Sequence, residues 1–188
     1  MPLLAVAGLV MVLPMPAAAG ASGQSAAAAG YREPVDALRA IVDAPRAPQL
    51  MLSPRRDIAV MVQMPNLPGI DVVAQPELKL AGLRLHPRVH ASSSFSFGTR
   101  LWLMDVASGA ERQIAGLPSP LGLADLAWSP DQRWLAFNRI DRQSGANELW
   151  LIDVSAGRAR RLAAGLNTVA GGYEWMPDSR SLLLHLQS

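Results

Sequence analysis

Two stretches of the chain carry nearly the same pattern. Leu101-Trp102-Leu103-Met104-Asp105-Val106, followed by Gly109, Arg112 and Ile114, recurs as Leu149-Trp150-Leu151-Ile152-Asp153-Val154, followed by Gly157, Arg160 and Leu162. A second motif shifts with the first. Trp128-Ser129-Pro130-Asp131 leads into Trp134-Leu135-Ala136-Phe137, and Trp175-Met176-Pro177-Asp178 leads into Leu182-Leu183-Leu184. Apolar runs that turn at Asp/Gly or Ser-Pro-Asp and then return read as β-hairpins. Both motifs repeat at about 48 residues, close to one blade of a β-propeller, and each interval counted from Leu101 holds about four short strands. A thin sheet of this kind cannot bury its two faces alone, so successive copies must stack.

A third copy lies upstream. Leu50 and Leu52 lead to the turn Ser53-Pro54-Arg55-Arg56, and Ile58-Ala59-Val60-Met61-Val62 reads as a β-branched strand. Pro54 and Pro130 are about 76 residues apart, one interval plus an insertion of roughly 30. The insertion falls around 64–98: a proline-rich start, a strand or hairpin over Leu78 to Leu85, and a serine-rich loop from His86 to Gly98 that includes Ser92-Ser93-Ser94. Before the first copy, Val35, Leu38, Ile41 and Val42 share one helical face between Pro34 and Ala44, and Pro45 and Pro48 end the segment. Such a helix is expected to bury its apolar stripe.

The expected fold is therefore all-β: a partial, open β-propeller of about two to three four-stranded antiparallel blades, preceded by a short helix. The expected organisation is a signal peptide and flexible leader over 1–30, the helix over 31–48, and the incomplete propeller over 49–188. The last expected strand, Ser181 to Leu186, runs to the end of the sequence before a ring of four to eight blades could close.

Trp102, Trp128, Trp150 and Trp175 recur in step, and a tryptophan removes roughly 150–250 Å² from water, ~4–6 kcal/mol each before entropy. They read as the wedges between stacked sheets. Asp105 and Asp153 precede hairpin turns and are expected to hold nearby backbone N–H groups; no clustered acidic loop for calcium accompanies them. His86 and His90 are separated by Pro87, which breaks a shared helical face, and His185 stands alone in an apolar strand as a core or edge residue. Arg158, Arg160 and Arg161 read as a small solvated basic turn. The sequence contains no G-x-S-x-G, HExxH, GxxxxGK[ST] or GxGxxG. Accordingly no catalytic, cofactor-binding or metal residue is assigned, and no cofactor is expected.

Composition narrows the partners. The 188 residues carry a formal charge of +2, and Lys79 is the only lysine. No basic run with interleaved aromatics is present, so nucleic acid is not expected as a partner. Cysteine is absent, which excludes disulfides. Leu3 to Leu13 is apolar, Pro14 and Pro16 break it, and Ala17-Ala18-Ala19 supplies small residues for a signal peptidase. About a dozen apolar residues are too few to span a bilayer, for which about 20 are needed. The segment reads as a cleaved export signal, although it lacks a basic start, and the expected location is periplasmic or secreted, with no stable membrane insertion.

Tyr31-Arg32-Glu33-Pro34 through Val42-Asp43-Ala44-Pro45-Arg46 resembles the start of bacterial prolyl oligopeptidase-family serine peptidases. Leu52-Ser53-Pro54, Ala74-Gln75-Pro76-Glu77-Leu78, Leu80-Ala81-Gly82-Leu83-Arg84, Leu101-Trp102-Leu103 and Trp128-Ser129-Pro130-Asp131 continue the likeness, which is to the exported glutamyl endopeptidase-like branch. The resemblance implies an N-terminal propeller that covers an α/β-hydrolase domain bearing a Ser-Asp-His triad and limits access to peptides. No hydrolase domain lies within these residues, so no triad residue is carried over. The resulting expectation is a non-catalytic propeller portion of an exported serine peptidase, with peptide substrates and a C-terminal hydrolase domain as partners in the parent protein. The rival expectation is a TolB-like periplasmic protein-interaction propeller without enzymatic activity.

Overall fold

A computed structural model describes residues 34–93 and 96–187. The expected signal and leader, 1–30, lie outside the described residues, as does Ser94 of the serine-rich loop. Helix α1, Asp36–Asp43, forms where the 3.6-residue pattern places it. Its apolar stripe is not buried, contrary to expectation: Val35, Leu38, Ile41 and Val42 are each more than half exposed. Polar tethers explain the difference. Asn66 donates to the carbonyls of Val42 and Ala44 and accepts from Arg46 N–H (3.0 Å), while Gln63 Nε2 donates to Arg46 O (2.8 Å). The last turn is thus fixed to the end of the first hairpin without laying the apolar face on a sheet.

Strands β1 (Gln49–Leu52) and β2 (Ile58–Gln63) form the first hairpin. The insertion follows, with the short helix α2 (Ile70–Val73) and a three-stranded sheet of β3 (Leu78–Leu80), β4 (Leu83–His86) and β5 (Ala91–Ser92). Strands β6 (Arg100–Asp105) and β7 (Glu111–Gln113) then return to the first pair, giving a four-stranded sheet in the order β1-β2-β6-β7. Val60 faces Leu103 and Val62 faces Leu101 across it. The second sheet is a plain meander of β8 (Leu123–Trp128), β9 (Trp134–Asp141), β10 (Ala146–Asp153) and β11 (Arg158–Ala164). A 3-10 turn, Thr168–Ala170, leads to the pair β12 (Tyr173–Trp175) and β13 (Leu182–Leu184).

The stacked four-stranded sheets are those expected, but their phase is shifted by one hairpin. The Leu101 hairpin completes the sheet begun at Gln49, and the Trp128 hairpin opens the next. The reason lies in the connections. Residues 114–122 carry Gly116 and Gly122 at positive φ across to the next sheet. Between β9 and β10, by contrast, Asp141 accepts Gln143 N–H (3.0 Å) and Ser144 N–H (3.3 Å), which closes a tight turn within one sheet. Arg158, Arg160 and Arg161, expected as a turn, lie on strand β11.

The main core lies between the two four-stranded sheets. Val60, Val62, Leu101 and Leu103 meet Leu135, Phe137, Ile152, Val154 and Ala159. A second cluster joins Ala136, Leu149, Leu151 and Leu166 to Tyr173, Trp175, Leu182 and Leu184. Strands β9 and β10 are therefore covered on both sides, and their apolar residues run on instead of alternating. Of the four recurring tryptophans only Trp102 is buried outright; Trp128, Trp150 and Trp175 wedge partly between sheets, with Trp150 stacked on Phe137 at 6.3 Å. Arg100 lies over the Trp102 ring at 5.1 Å.

One end of the sheets is a linked series of turns. Arg56, Gln132 and Ser179 occupy the same turn position in successive sheets, all at positive φ. Gln132 Oε1 accepts Arg55 N–H from the preceding turn (2.9 Å), and Ser179 Oγ accepts Asp131 N–H in the same way (3.0 Å). Val106 N–H donates to Asp57 O (2.9 Å) and Val154 N–H to Arg133 O (3.1 Å), which repeats the contact within each sheet. Ser53 and Ser129, both buried, brace these turns through Asp57 and Asp131.

Candidate functional site

The first strands of successive sheets share grooves. A groove of about 440 Å³ runs between β1, β8 and the insertion, with Gln49, Met51, Ser92, Phe97, Asp125 and Thr168 among its walls. The insertion reaches it by packing on the second sheet. Val89 and Ala91 meet Ile140, buried Asn147 donates to Val89 O (2.9 Å), and Thr168 N–H donates to His90 O (3.0 Å).

Asp125 is the unusual residue of this groove. It has φ +49 at an irregularity in the β8–β9 pairing between Ala124 and Ala127. A non-glycine residue there is strained, and such bulges re-aim a side chain. Its carboxylate accepts from Asn138 Nδ2 (2.9 Å), and Asn138 is fully buried. The Tyr173 hydroxyl lies between Asp125 O and Ala136 O, 2.8 Å from the latter. Burial, and then the Asp125 charge, push the Tyr173 hydroxyl well above its ordinary pKa, so it remains a neutral donor. Gly172 permits this packing: a Cβ there would meet Asn138 Nδ2 at 2.8 Å.

The residues considered from sequence lie elsewhere. Asp105 accepts Ser108 Oγ (2.6 Å) and Ser108 N–H (2.8 Å), and Asp153 accepts Ser155 Oγ (2.6 Å) and Ala156 N–H (2.9 Å), as expected for turn-holding carboxylates. The serine hydroxyls, followed by the backbone N–H groups, hold both carboxyls below the ordinary range. His86 is buried, and burial with the charges of Arg142 and Arg88 lowers its pKa and keeps it neutral. His90 is exposed at φ +46, and His185 is exposed just after β13. Arg161 pairs with Glu148 at 2.9 Å, so that face is not simply solvated. Among the described residues no cluster of three or more His, Asp or Glu could hold a metal ion.

The groove thus combines a carboxylate, an amide, hydroxyls and an apolar wall, groups able to accept and donate hydrogen bonds beside an apolar surface. Asp125 was not singled out from sequence. The available signal was a slip of alternation in Leu123-Ala124-Asp125-Leu126-Ala127-Trp128, where polar Asp125 is followed by three apolar residues.

No family model matches the sequence. It is 33% identical over 170 residues to a probable chloroplastic glutamyl endopeptidase of Arabidopsis thaliana, and 35% identical over 171 residues to that of Oryza sativa subsp. japonica. Each match covers 85% of this chain, which spans 18% of the length of either relative. Among solved structures, Pyrococcus horikoshii acylaminoacyl peptidase gives a TM-score of 0.43 at 15% identity over 74% of this chain and 17% of that one. The β-propeller domain of the Trilobed protease from Pyrococcus furiosus gives 0.42 at 15% identity over 74% and 34%.

Proposed function

We propose, from homology to the N-terminal region of the glutamyl endopeptidases and thus to the propellers of the prolyl oligopeptidase family, that this chain is the access-limiting propeller portion of a serine-type peptidase. The observation that carries the reading is identity of 33–35% across 85% of the chain with a segment that is only 18% of either relative. The chain's part is to admit and align extended peptide along the groove between β1 and β8, while the reacting serine lies in a hydrolase region outside these residues. A chimera in which residues 34–187 replace the homologous segment of the Arabidopsis thaliana relative is expected to cleave short peptides and to spare folded proteins. Cleavage of a folded protein at the rate of a short peptide would overturn the gating role. The chain by itself is expected to take no label from a serine-directed fluorophosphonate; stoichiometric labelling of one serine would make it catalytic.

The same proposal includes export, supported by the apolar run Leu3 to Leu13 and the small residues Ala17 to Ala19. Sequencing the mature N-terminus checks it, since a chain that retains Leu3 to Leu13 was not processed there.

A further inference from the structure

The turn after β9 carries a charge that no carboxylate answers. Asp141 closes this turn by accepting Gln143 N–H (3.0 Å) and Ser144 Oγ (2.7 Å), and its ion-pair partner is Arg139 (3.1 Å). The next residue, Arg142, lays its guanidinium over the Phe97 ring, with Cζ 5.0 Å from the ring centre. Among the described residues Arg142 forms no ion pair. Its Nε and Nη2 are buried, and neither has a hydrogen-bond partner. Burial lowers its pKa below the ordinary value, yet a guanidinium stays charged at neutral pH. A buried donor without an acceptor costs free energy, and a charged one costs most. Nε and Nη2 form one edge of the guanidinium. Their N–H bonds run parallel and match the two oxygens of a carboxylate.

Arg142 lines a pocket of about 450 Å³, within the roughly 300–1,000 Å³ of ligand sites. Its walls come from the start of the insertion, from Phe97, from the 118–122 connection and from the β9–β10 turn. Phe97 and Ile140 line both this pocket and the groove beside β1 and β8. A second orphan stands in the same pocket: Gln75 Oε1 is buried without a donor. Leu67, Val72 and Leu121 add apolar surface. The unmet groups are thus two parallel donors on a cation and one neutral acceptor. A ligand that completes them carries a carboxylate, an N–H group and an apolar body. No hydrogen bond holds the Arg142 fork, so it reaches such a ligand by rotation about the last bonds of its side chain.

We propose that this pocket binds an N-acyl amino acid group, the chemistry shared by the C-terminal residue of a peptide and by a free acylated amino acid. Arg142 takes the carboxylate in bidentate fashion. Gln75 Oε1 accepts the amide N–H, and Leu67, Val72 and Leu121 surround an apolar side chain. The inference rests on the unmet groups of the pocket and stands apart from the peptidase reading.

The test titrates N-acetyl-leucine into the full chain by calorimetry. Binding is expected with a Kd on the order of 1 mM, and N-acetyl-leucinamide, which lacks the charge, is expected to bind about tenfold more weakly. This comparison needs no variant. Arg142→Gln is expected to weaken the acid about tenfold and leave the amide unchanged. Gln75→Met is expected to weaken N-acetyl-leucine about threefold and leave 4-methylpentanoate, which has no amide, unchanged. Both substitutions remove groups without partners, so the fold is expected intact, and circular dichroism checks it. Acetyl-Ala-Ala-Leu separates the two sources: tighter binding than N-acetyl-leucine assigns the pocket to a peptide end, weaker binding to a free acyl amino acid. Any of four results would overturn the proposal: no heat from the acid well above that Kd, equal binding of acid and amide, unchanged acid affinity of the Arg142→Gln chain, or full competition by equimolar inorganic phosphate, which would leave a general anion site only.

Discussion

Glu148 lies on β10 with its side chain almost wholly inside, and all its partners are donors. Oε2 accepts from Arg139 Nη1 (3.1 Å) and Trp150 Nε1 (2.9 Å), and Oε1 accepts from Arg161 Nη1 (2.9 Å). Burial pushes this carboxyl up, but the bonds from Trp150, Arg161 and Arg139 outweigh burial and hold it below the ordinary value. Consider Glu148→Gln. Breaking a buried pair ordinarily costs about 3–5 kcal/mol. Here the cost is smaller. Arg139 keeps Asp141 at 3.1 Å, and Arg161, whose side chain is 59% exposed, can turn to water. The amide oxygen can still serve Trp150 and Arg139, so the loss is about 2 kcal/mol. For a domain of this size that lowers Tm by about 4–8 °C. Because the folded-state pKa is depressed, the stabilisation is complete above the unfolded carboxyl's pKa and disappears as pH falls through the folded value. Thermal unfolding followed by circular dichroism at neutral pH and at about pH 3 measures both. A gap between native and variant chains that is absent at neutral pH, or undiminished in acid, would refute the reasoning.

Gly122 has φ +54, and a Cβ there would lie 2.2 Å from Ile140 O, so Gly122→Ala is expected to cost about 3 kcal/mol or more. Gly109→Ala shares the positive φ with nothing within 4 Å and should cost only about 1 kcal/mol. Urea midpoints compare the two, and equal losses would show that the approach to Ile140 is not tight. Because the α1 stripe faces solvent, the double change Leu38→Ser with Ile41→Ser should alter stability by under about 0.5 kcal/mol, and a loss of about 2 kcal/mol would show that face to be covered.

The hairpins were legible because turn chemistry is local. Ser53-Pro54, Gly109 and Gly157 each mark a chain reversal whatever lies around them. Sheet membership was not, because it depends on which connection crosses to a neighbour. Residues 114–122 and 141–146 both read simply as loops in sequence. Only the first moves the chain to the next sheet. The helix periodicity of Val35 to Val42 was likewise readable, but periodicity reports a face and not what covers it. Asp125 was hidden for a different reason. Its conformation is imposed from outside by Asn138 and Tyr173, residues 13 and 48 positions away in the chain.

The stapled turns give the molecule two rims with unequal room for change. Extra length at Pro54, Pro130 or Pro177 would pull the Arg55 donor, the Gln132 acceptor or the Ser179 acceptor away from the neighbouring sheet and alter the angle between sheets. By strand alternation, the connections from β2 to β6 and from β9 to β10 leave from the other rim, outside that series of bonds. The insertion between Gln63 and Arg100 is already accommodated there. Diversification of such a protein is thus channelled to one side, where new loops can be tried while the opposite side continues to dictate the geometry of assembly.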